Sequence, residues 1–288
     1  MLKKRIIALL LIRENIVVQS IFFKRYLPVG KPEIAVEALN DWGIDEIIVL
    51  DICARRKSLA PNTSLIREIA PYSMVPLTVG GGIYKISHVH ELLNSGADKV
   101  CFNSSLHQNI DLVKQASIIY GDQCIVGSID VINLDGKNYI FDHLTSKALE
   151  LPLIDYLLRL QDFGVGEILL NSVNRDGAKC GYDIDLINYI SPSIHVPLII
   201  CGGVGIPQHM IEALNSTQVE ALAASNFFHF TEHSATVAKS LISTTEQVRH
   251  ESYAKYDAVS TDQLGRLLKK PEPDLTNLLY KKLVKEII

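Results

Sequence analysis

Short apolar runs rich in β-branched residues recur along the chain. Eight of them suit buried strands, at residues 6–12, 47–52, 77–79, 100–102, 125–131, 168–171, 198–201 and 221–224. Between most of them lie segments with helical spacing, including residues 33–42, 85–94, 111–120, 153–163, 185–190 and 207–214. Apolar strands joined by helices are typical of a parallel sheet that is covered on both faces. The pattern therefore predicts an α/β protein.

The two halves of the chain repeat one another at an offset of 121 residues. The segment VPLTVGGG at 75–82 matches VPLIICGG at 196–203, IDEIIVL at 44–50 matches VGEILLN at 165–171, and KVCFNS at 99–104 matches EALAAS at 220–225. Strand–helix units with this twofold repetition predict a (β/α)8 TIM barrel, built from two half-barrels, over residues 1–245. An open, doubly wound sheet is the alternative.

Two insertions and a tail depart from the repeat. The connection from Arg13 to Lys31 is long for a loop, which predicts a working lid or, alternatively, an inert surface excursion. Residues 132–151 contain Asp135-Gly136, a dipeptide typical of tight hairpin turns, so a small hairpin is predicted there. Residues 246–288 are predicted to be a partly helical C-terminal extension, because an amphipathic pattern follows Pro271. Whether that helix docks on the barrel, a second copy or another protein stays open.

Composition narrows the class of protein. The 288 residues are 48% hydrophobic and 21% charged, which suits a large folded core rather than a disordered chain. A net charge of −4 offers no basic face, so nucleic acid is not an expected partner. The five cysteines lack Cys-x-x-Cys spacing and fit a reducing cytoplasm better than a disulfide framework or a zinc site. No run reaches the roughly 18 apolar residues of a membrane span, and neither a membrane nor a cofactor is expected.

Small and polar residues end the predicted strands, at the face where (β/α)8 barrels hold their active sites. Glycines let backbone amides approach an anion, and the first turn of a following helix adds donors and a favourable dipole. Two matching phosphate sites are therefore predicted, and a ligand with a phosphate at each end would fit them. The first consists of Gly81, Gly82, Asn103 and Ser104, and the second of Asp176, Gly177, Gly203, Ala224 and Ser225.

Three aspartates also end predicted strands. Asp130 follows a core strand, where a carboxylate is costly to bury unless it is hydrogen-bonded or used, so it is predicted to act in catalysis or in ligand orientation. Asp51 and Asp176 either act directly or pin loops. His88 and His90 lie two residues apart on a predicted helix, a spacing that cannot close a metal site. Both histidines are expected at the surface.

Charged residues of alternating sign precede four strands at the opposite end of the predicted barrel. They are Arg5, Glu46, Lys99 and Glu167. Charges at the bottom of a barrel satisfy one another only when they are paired. They are predicted to form a ring that acts as a plug or gate, with solvated charges at the strand starts as the alternative.

These motifs closely resemble the HisF family, the cyclase subunits of imidazole glycerol phosphate synthase, over residues 1–243. The match runs through KRII at 4–7, VLDI at 49–52, PLTVGGGI at 76–83, GADKV at 96–100, GEILL at 166–170, NRDG at 174–177 and GYD at 181–183. The resemblance implies a barrel that binds a bis-phosphorylated substrate and pairs with a HisH-like glutaminase at its bottom face. It also implies that ammonia enters the barrel past a salt-bridge gate, which the four alternating charges match.

One catalytic position of that family is not matched. The family's cyclase chemistry uses two aspartates, at the ends of strands one and five, as an acid/base pair. Asp130 matches the second, but Leu11 stands at the first, in the segment LLLI at 9–12. Leucine cannot transfer a proton, and losing one member of such a pair typically removes a factor of roughly 10² to 10⁴ in rate. Gln19 also replaces a family lysine that contacts substrate.

The leucine-rich end of strand one resembles the HisF-like proteins of the acetamidino modification system in surface-polysaccharide biosynthesis. In that branch the barrel and a HisH-like glutaminase supply ammonia to a separate N-acetyl-sugar amidotransferase. That enzyme turns an acetamido group into an acetamidino group, so the resemblance implies a conduit for ammonia. A cyclase of histidine biosynthesis is the main alternative, because Asp130 and the phosphate motifs are retained. An inert activator of the glutaminase is the third.

Overall fold

Eight parallel strands close into a barrel. The computed structural model describes residues 3–230 and 233–242, together with positions 248, 262, 263 and 268. The barrel strands are β1 (Arg5–Arg13), β4 (Glu46–Asp51), β5 (Leu77–Gly80), β6 (Lys99–Phe102), β7 (Ile125–Leu134), β10 (Glu167–Ser172), β11 (Leu198–Cys201) and β12 (Ala221–Ala224). They pair in this order, and β12 returns to pair with β1. The (β/α)8 barrel is confirmed, and the open sheet is wrong.

Helices of the described residues follow the strands around the outside of the barrel. They are α1 (Pro32–Asp41), α2 (Thr63–Ile69), α3 (Ile86–Asn94), α4 (Ser104–Gln108), α5 (Ile110–Tyr120), α6 (Leu153–Asp162), α7 (Ile184–Ile190), α8 (Pro207–Ser216) and α9 (Ser234–Ile242). The repeat extends to helix caps: the Asn62 side chain accepts the first-turn amide of α2, and Asp183 does the same for α7. None of the helices in the described part of the chain has the length and apolar character that a membrane crossing needs.

Both insertions are antiparallel hairpins that extend barrel strands beyond the barrel's end. The first consists of β2 (Ile16–Ile21) and β3 (Arg25–Gly30), with β2 paired to the end of β1. The connection predicted as a long loop is therefore ordered as strands. The second consists of β8 (Lys137–Asp142) and β9 (Lys147–Leu149), paired to the end of β7. Its turn residues, Asp135 and Gly136, both have positive φ, which confirms the tight turn that their sequence predicts.

The core divides into two shells because successive side chains of a strand point to opposite faces. In β1, Ile6, Leu10 and Ile12 pack outward under the helices, whereas the alternate residues face into the barrel. The inward shell is fully buried or nearly so, and it includes the polar residues Thr78 and Ser128 beside its hydrophobic members. It contains Ile7, Leu9, Leu11, Val18, Ile48, Cys101, Val126, Leu169, Ile199, Cys201, Ala221 and Ala223.

A buried ion pair ties α9 to the start of the barrel. Lys239 Nζ lies 2.6 Å from Asp45 Oδ1, and the other oxygen of Asp45 accepts the backbone amide of Ile6 at 2.7 Å. Further along the chain, Val248 forms a β-bridge with Lys4. Most of the predicted extension at 246–288, including the helix after Pro271, lies outside the described residues.

We expect Lys239→Met to lower the free energy of unfolding by about 3 kcal/mol, because it leaves the Asp45 carboxylate buried without its cation. Urea denaturation followed by circular dichroism measures the change. Lys31→Met is the matched control, since Lys31 is exposed and only weakly paired with Glu33, and it should change stability by less than about 0.5 kcal/mol. Equal changes in stability for the two substitutions would contradict a stabilising role of the Lys239–Asp45 ion pair.

Candidate functional site

A cavity opens at the carboxyl end of the barrel strands, with Asp130 buried in its wall. Asn103 Nδ2 donates to Asp130 Oδ2 at 2.9 Å, and Asn171 Nδ2 donates to Asp130 Oδ1 at 3.3 Å. Burial raises the pKa of Asp130 to about 7, although these two amides oppose the rise. A carboxyl group with this pKa can gain or lose a proton near neutral pH, which is what general acid–base chemistry requires.

Leu11 faces the same cavity from β1. Its side chain belongs to the inward shell and lines the cavity with Leu9 and Leu50. The structure thus places the position of the missing aspartate in the site, with an apolar side chain there. The acid/base pair of the family requires a second titratable group, and Leu11 does not supply one for Asp130.

His143 enters the site from the second hairpin, just after β8. Its Nδ1 lies 3.0 Å from Asn103 Oδ1, so Asn103 links the imidazole to Asp130. Burial, with the nearby Arg56 charge, lowers the pKa of His143 to about 4, so the ring is neutral at pH 7. The sequence pattern singles out neither His143 nor Asn171. For Asn171 a signal existed, because its repeat equivalent is Leu50 and a polar residue replaces an apolar one.

The first predicted phosphate site depends on backbone rather than on side chains. Gly82 has a φ of +71°, and a Cβ there would lie 2.7 Å from the Leu59 carbonyl oxygen, so only glycine fits. The side chain of Asn103 is already engaged by Asp130 and His143. The helix after it, α4, has five residues and therefore adds little dipole. Among the residues predicted for this site, the backbone amides of Gly82 and Ser104 could donate to an anion.

The second predicted phosphate site has an unused donor. The hydroxyl of Ser225 is buried without a hydrogen-bond partner among the described residues, and buried polar groups are normally satisfied. Gly203 has a φ of +96°, and a Cβ there would overlap the Gly181 carbonyl oxygen. Ser225 therefore has the donor capacity that an incoming phosphate would use.

Two aspartates of the cavity hold loops in place. Asp51 Oδ1 accepts the backbone amides of Cys53 and Ala54 at 2.8 and 3.0 Å. Asp176 Oδ2 accepts the Ser20 hydroxyl at 2.6 Å and the Phe23 amide at 3.0 Å, which secures the first hairpin. Burial raises the pKa of Asp176, although these hydrogen bonds oppose the rise. That its carboxylate also contacts a phosphate stays a prediction.

Four charges close a ring at the amino end of the barrel. Arg5 lies 2.6 Å from Glu46 and 3.1 Å from Glu167, and Lys99 lies 3.1 Å from Glu46 and 2.8 Å from Glu167. Burial alone lowers the pKa of Arg5, but the two carboxylates outweigh it and raise the pKa. Each cation thus contacts both anions, and the alternative of independently solvated charges does not hold.

The histidines of α3 correct one expectation. His90 is exposed, but His88 is buried, with its ring edge-on to Tyr84 and its Nδ1 3.2 Å from the Gly82 carbonyl oxygen. The expectation that His88 lies at the surface is wrong, because the helix turns this residue toward the loop that carries the glycines. Within residues 3–230 and 233–242, no cluster of three or more His, Cys, Asp or Glu side chains is placed to hold a metal ion.

Fold and site together define a duplicated (β/α)8 barrel with a charged ring at one end and a carboxylate-bearing cavity at the other. A family model described as "Histidine biosynthesis protein" matches residues 5–234, and the chain belongs to this family. It is 38% identical over 267 residues to "Putative imidazole glycerol phosphate synthase subunit hisF2" of Vibrio vulnificus (strain YJ016), which covers 92% of this chain and 98% of that protein. The resemblance to HisF proteins is thereby confirmed.

The raised pKa of Asp130 predicts a pH-dependent effect of Asp130→Asn. Between about pH 4 and pH 7, folded Asp130 binds a proton that the unfolded chain releases. The native free energy of unfolding therefore falls as pH rises through this window, whereas the variant lacks this loss. The stability of the variant relative to the native protein should rise by on the order of 2 kcal/mol from pH 4 to pH 7. Urea denaturation at each pH measures it.

The change in slope is the informative result, because the amide that replaces Asp130 adds a pH-independent offset. Asp111→Asn on the exposed face of α5 is the control and should show no such trend. A flat difference between Asp130→Asn and the native protein would show that Asp130 is ionised throughout.

The unused hydroxyl predicts the behaviour of Ser225→Ala. Inorganic phosphate should bind roughly tenfold more weakly, as expected for loss of one hydrogen bond to a charged group. Stability should not fall, since the removed hydroxyl has no hydrogen-bond partner among the described residues that would be left unsatisfied. Calorimetric titration and thermal unfolding measure the two effects. Ser216→Ala, at an exposed position on α8, is the control, and equal phosphate binding in both variants would exclude Ser225 from the site.

Proposed function

We propose that this barrel conducts glutamine-derived ammonia from a HisH-like glutaminase to an N-acetyl-sugar amidotransferase. The amidotransferase would convert an acetamido into an acetamidino group, as in lipopolysaccharide biosynthesis. The observation that carries the proposal is Leu11 facing Asp130 in a barrel that keeps all four ring charges paired. The paired ring supports conduction, and Leu11 at the position of one family aspartate weighs against cyclisation.

The ring and the inward shell support conduction of the neutral molecule. Ammonia that enters at the ring would meet an interior formed largely by apolar residues such as Val126, Leu169 and Ala223. Thr78 and Ser128 are its buried polar members. An ammonium ion would lose its hydration there at a cost of several kcal/mol, whereas neutral ammonia loses far less. Passage would require one ring contact to open transiently.

A partner at the ring end follows from the same geometry. Ammonia must be delivered to the ring without mixing with water, so the glutaminase would cover the amino end of the barrel. The acceptor enzyme would then meet the carboxyl end, where the cavity and both hairpins lie. The two partners would therefore occupy opposite ends.

The alternative is a cyclase subunit of histidine biosynthesis. It is supported by Asp130, which keeps two amide donors and a pKa near 7, and by the description of the Vibrio relative. Turnover of the bis-phosphorylated ribulosyl substrate decides between the two functions. Ammonia-dependent conversion that Asp130→Asn abolishes would overturn the conduit proposal.

Narrowing the barrel interior tests conduction. In the complex with both partners, Ala223→Leu and Val126→Phe should leave glutamine hydrolysis intact and release most of the ammonia to solvent instead of the sugar. Both residues are fully buried in the inward shell. Ala148→Leu on β9 is the control, since that residue lies outside the barrel interior. Hydrolysis and transfer are assayed in parallel, and thermal unfolding confirms that each variant is folded.

Unchanged transfer in both interior variants would exclude the barrel as the path. Together with retained stimulation of the glutaminase, that result would favour the third function, an inert activator.

A further inference from the structure

Charge is distributed unequally between the two phosphate sites. The loop from β4 to α2 and the loop from β10 to α7 have the same length and stand at the repeat offset. At equivalent positions, the first loop carries Arg55 and Arg56, and the second carries Asp176 and Gly177. The repeat therefore keeps the backbone of the two sites and reverses the charge beside them.

Arg55 is held beside the first site with a donor to spare. Its Nη2 donates to Gln108 at the end of α4 at 3.0 Å, and its guanidinium lies 5.3 Å from the centre of the Tyr84 ring. Its Nε is buried without a hydrogen-bond partner in the described part of the chain. Arg55 lines the cavity. Arg55 is thus positioned by neutral groups, and one donor is left for a ligand.

Arg56 lies on the other flank of the same site. It donates to the backbone oxygen of His143, whose ring is bonded to Asn103. A Cβ on Gly82 would lie 3.0 Å from Ala54 Cβ, so the loop carrying both arginines packs directly on this glycine. Neither arginine forms an ion pair with a carboxylate of the described residues. Two positively charged side chains therefore extend from the loop that packs on Gly82, and both residues line the cavity.

Two positively charged side chains near the second site, Arg175 and Lys179, already contact other protein groups. Arg175 donates to the backbone oxygens of Cys180 and Gly181, and its Nε lies 3.8 Å from Asp183. The Lys179 ammonium lies 3.8 Å from the centre of the Phe230 ring. The acidic side chains of this half that line the cavity are Asp130 and Asp176.

We propose that the cavity binds an unsymmetrical ligand with a diphosphate group at the Gly82 end, held by Arg55 and Arg56. Backbone amides suffice for one phosphate, whereas a second phosphate calls for further donors with positive charge. Guanidinium forks match phosphate oxygens in geometry and in charge. The ligand class is a diphosphate ester, for which inorganic pyrophosphate is the simplest probe. The inference goes beyond the proposed function, with which it shares only the cavity at the carboxyl end of the barrel.

Calorimetric titration of the full chain with pyrophosphate and with inorganic phosphate, at one ionic strength, tests the inference. Pyrophosphate should bind at least about tenfold more tightly than phosphate, and Arg55→Gln and Arg56→Gln should each remove about that factor while changing phosphate affinity by less than about threefold. Lys57→Gln is the matched control from the same loop. Lys57 is paired with Glu14 at 2.9 Å outside the cavity lining and should keep the preference.

Equal affinities for the two anions, or the same loss in Lys57→Gln, would overturn the inference. If a glutamine variant unfolds early, Arg55→Lys and Arg56→Lys retain charge without the fork and should still lose part of the preference. Uridine diphosphate distinguishes the source: tighter binding than pyrophosphate indicates a nucleoside diphosphate, and weaker binding a simpler ester. The titration needs no partner enzyme, so its failure leaves the ammonia-transfer assay to judge the proposed function independently.

Discussion

Closure of the sheet is the constraint on which the other features depend. Once β12 pairs with β1, every second residue of each strand must face a common interior. The first residues of β1, β4, β6 and β10 are Arg5, Glu46, Lys99 and Glu167, so closure brings four charges within contact distance at one end. Alternation of sign then makes every contact attractive. At the other end the same closure gathers Leu11 and Asp130 around one cavity.

Duplication supplied a symmetrical scaffold, and the functional differences lie where the symmetry is broken. The bounds of α1 and α6, the bounds and caps of α2 and α7, and the glycine turns at Gly82 and Gly203 agree at the repeat offset to the residue. In contrast, Leu50 of the first half is replaced by Asn171 at the equivalent position of the second, and Arg55 is replaced by Asp176. Both exchanges occur at the cavity and change its polarity without changing the backbone. The two ends of a bound ligand therefore meet different chemistry on a nearly identical framework.

The sequence predicts those features of the fold and the site that depend on local patterns, and it does not predict contacts between residues that are far apart in the chain. The eight strands were predictable because burial on both faces leaves an unbroken apolar run, and the ring because its charges begin those runs. The first hairpin was not predictable as a pair of strands, since most of β3 is exposed and its residues do not alternate between buried and exposed. Contacts such as His143 with Asn103 join residues 40 positions apart, and local pattern carries no information on them. His88 is a different case, because its neighbours Tyr84 and Gly82 are close in sequence but the helical pattern does not show that the preceding glycine loop folds against α3.

The attachment of the first hairpin has a consequence for how the halves relate. Ser20 belongs to the first half, yet it donates to Asp176 and exchanges hydrogen bonds with Asn226 in the second. The first hairpin thus belongs to one half, and hydrogen bonds to the other half hold it in place beside the cavity. A half-barrel separated at the repeat boundary would retain its strands and lose the acceptor for its own hairpin. The duplicated units have become complementary pieces that are no longer interchangeable.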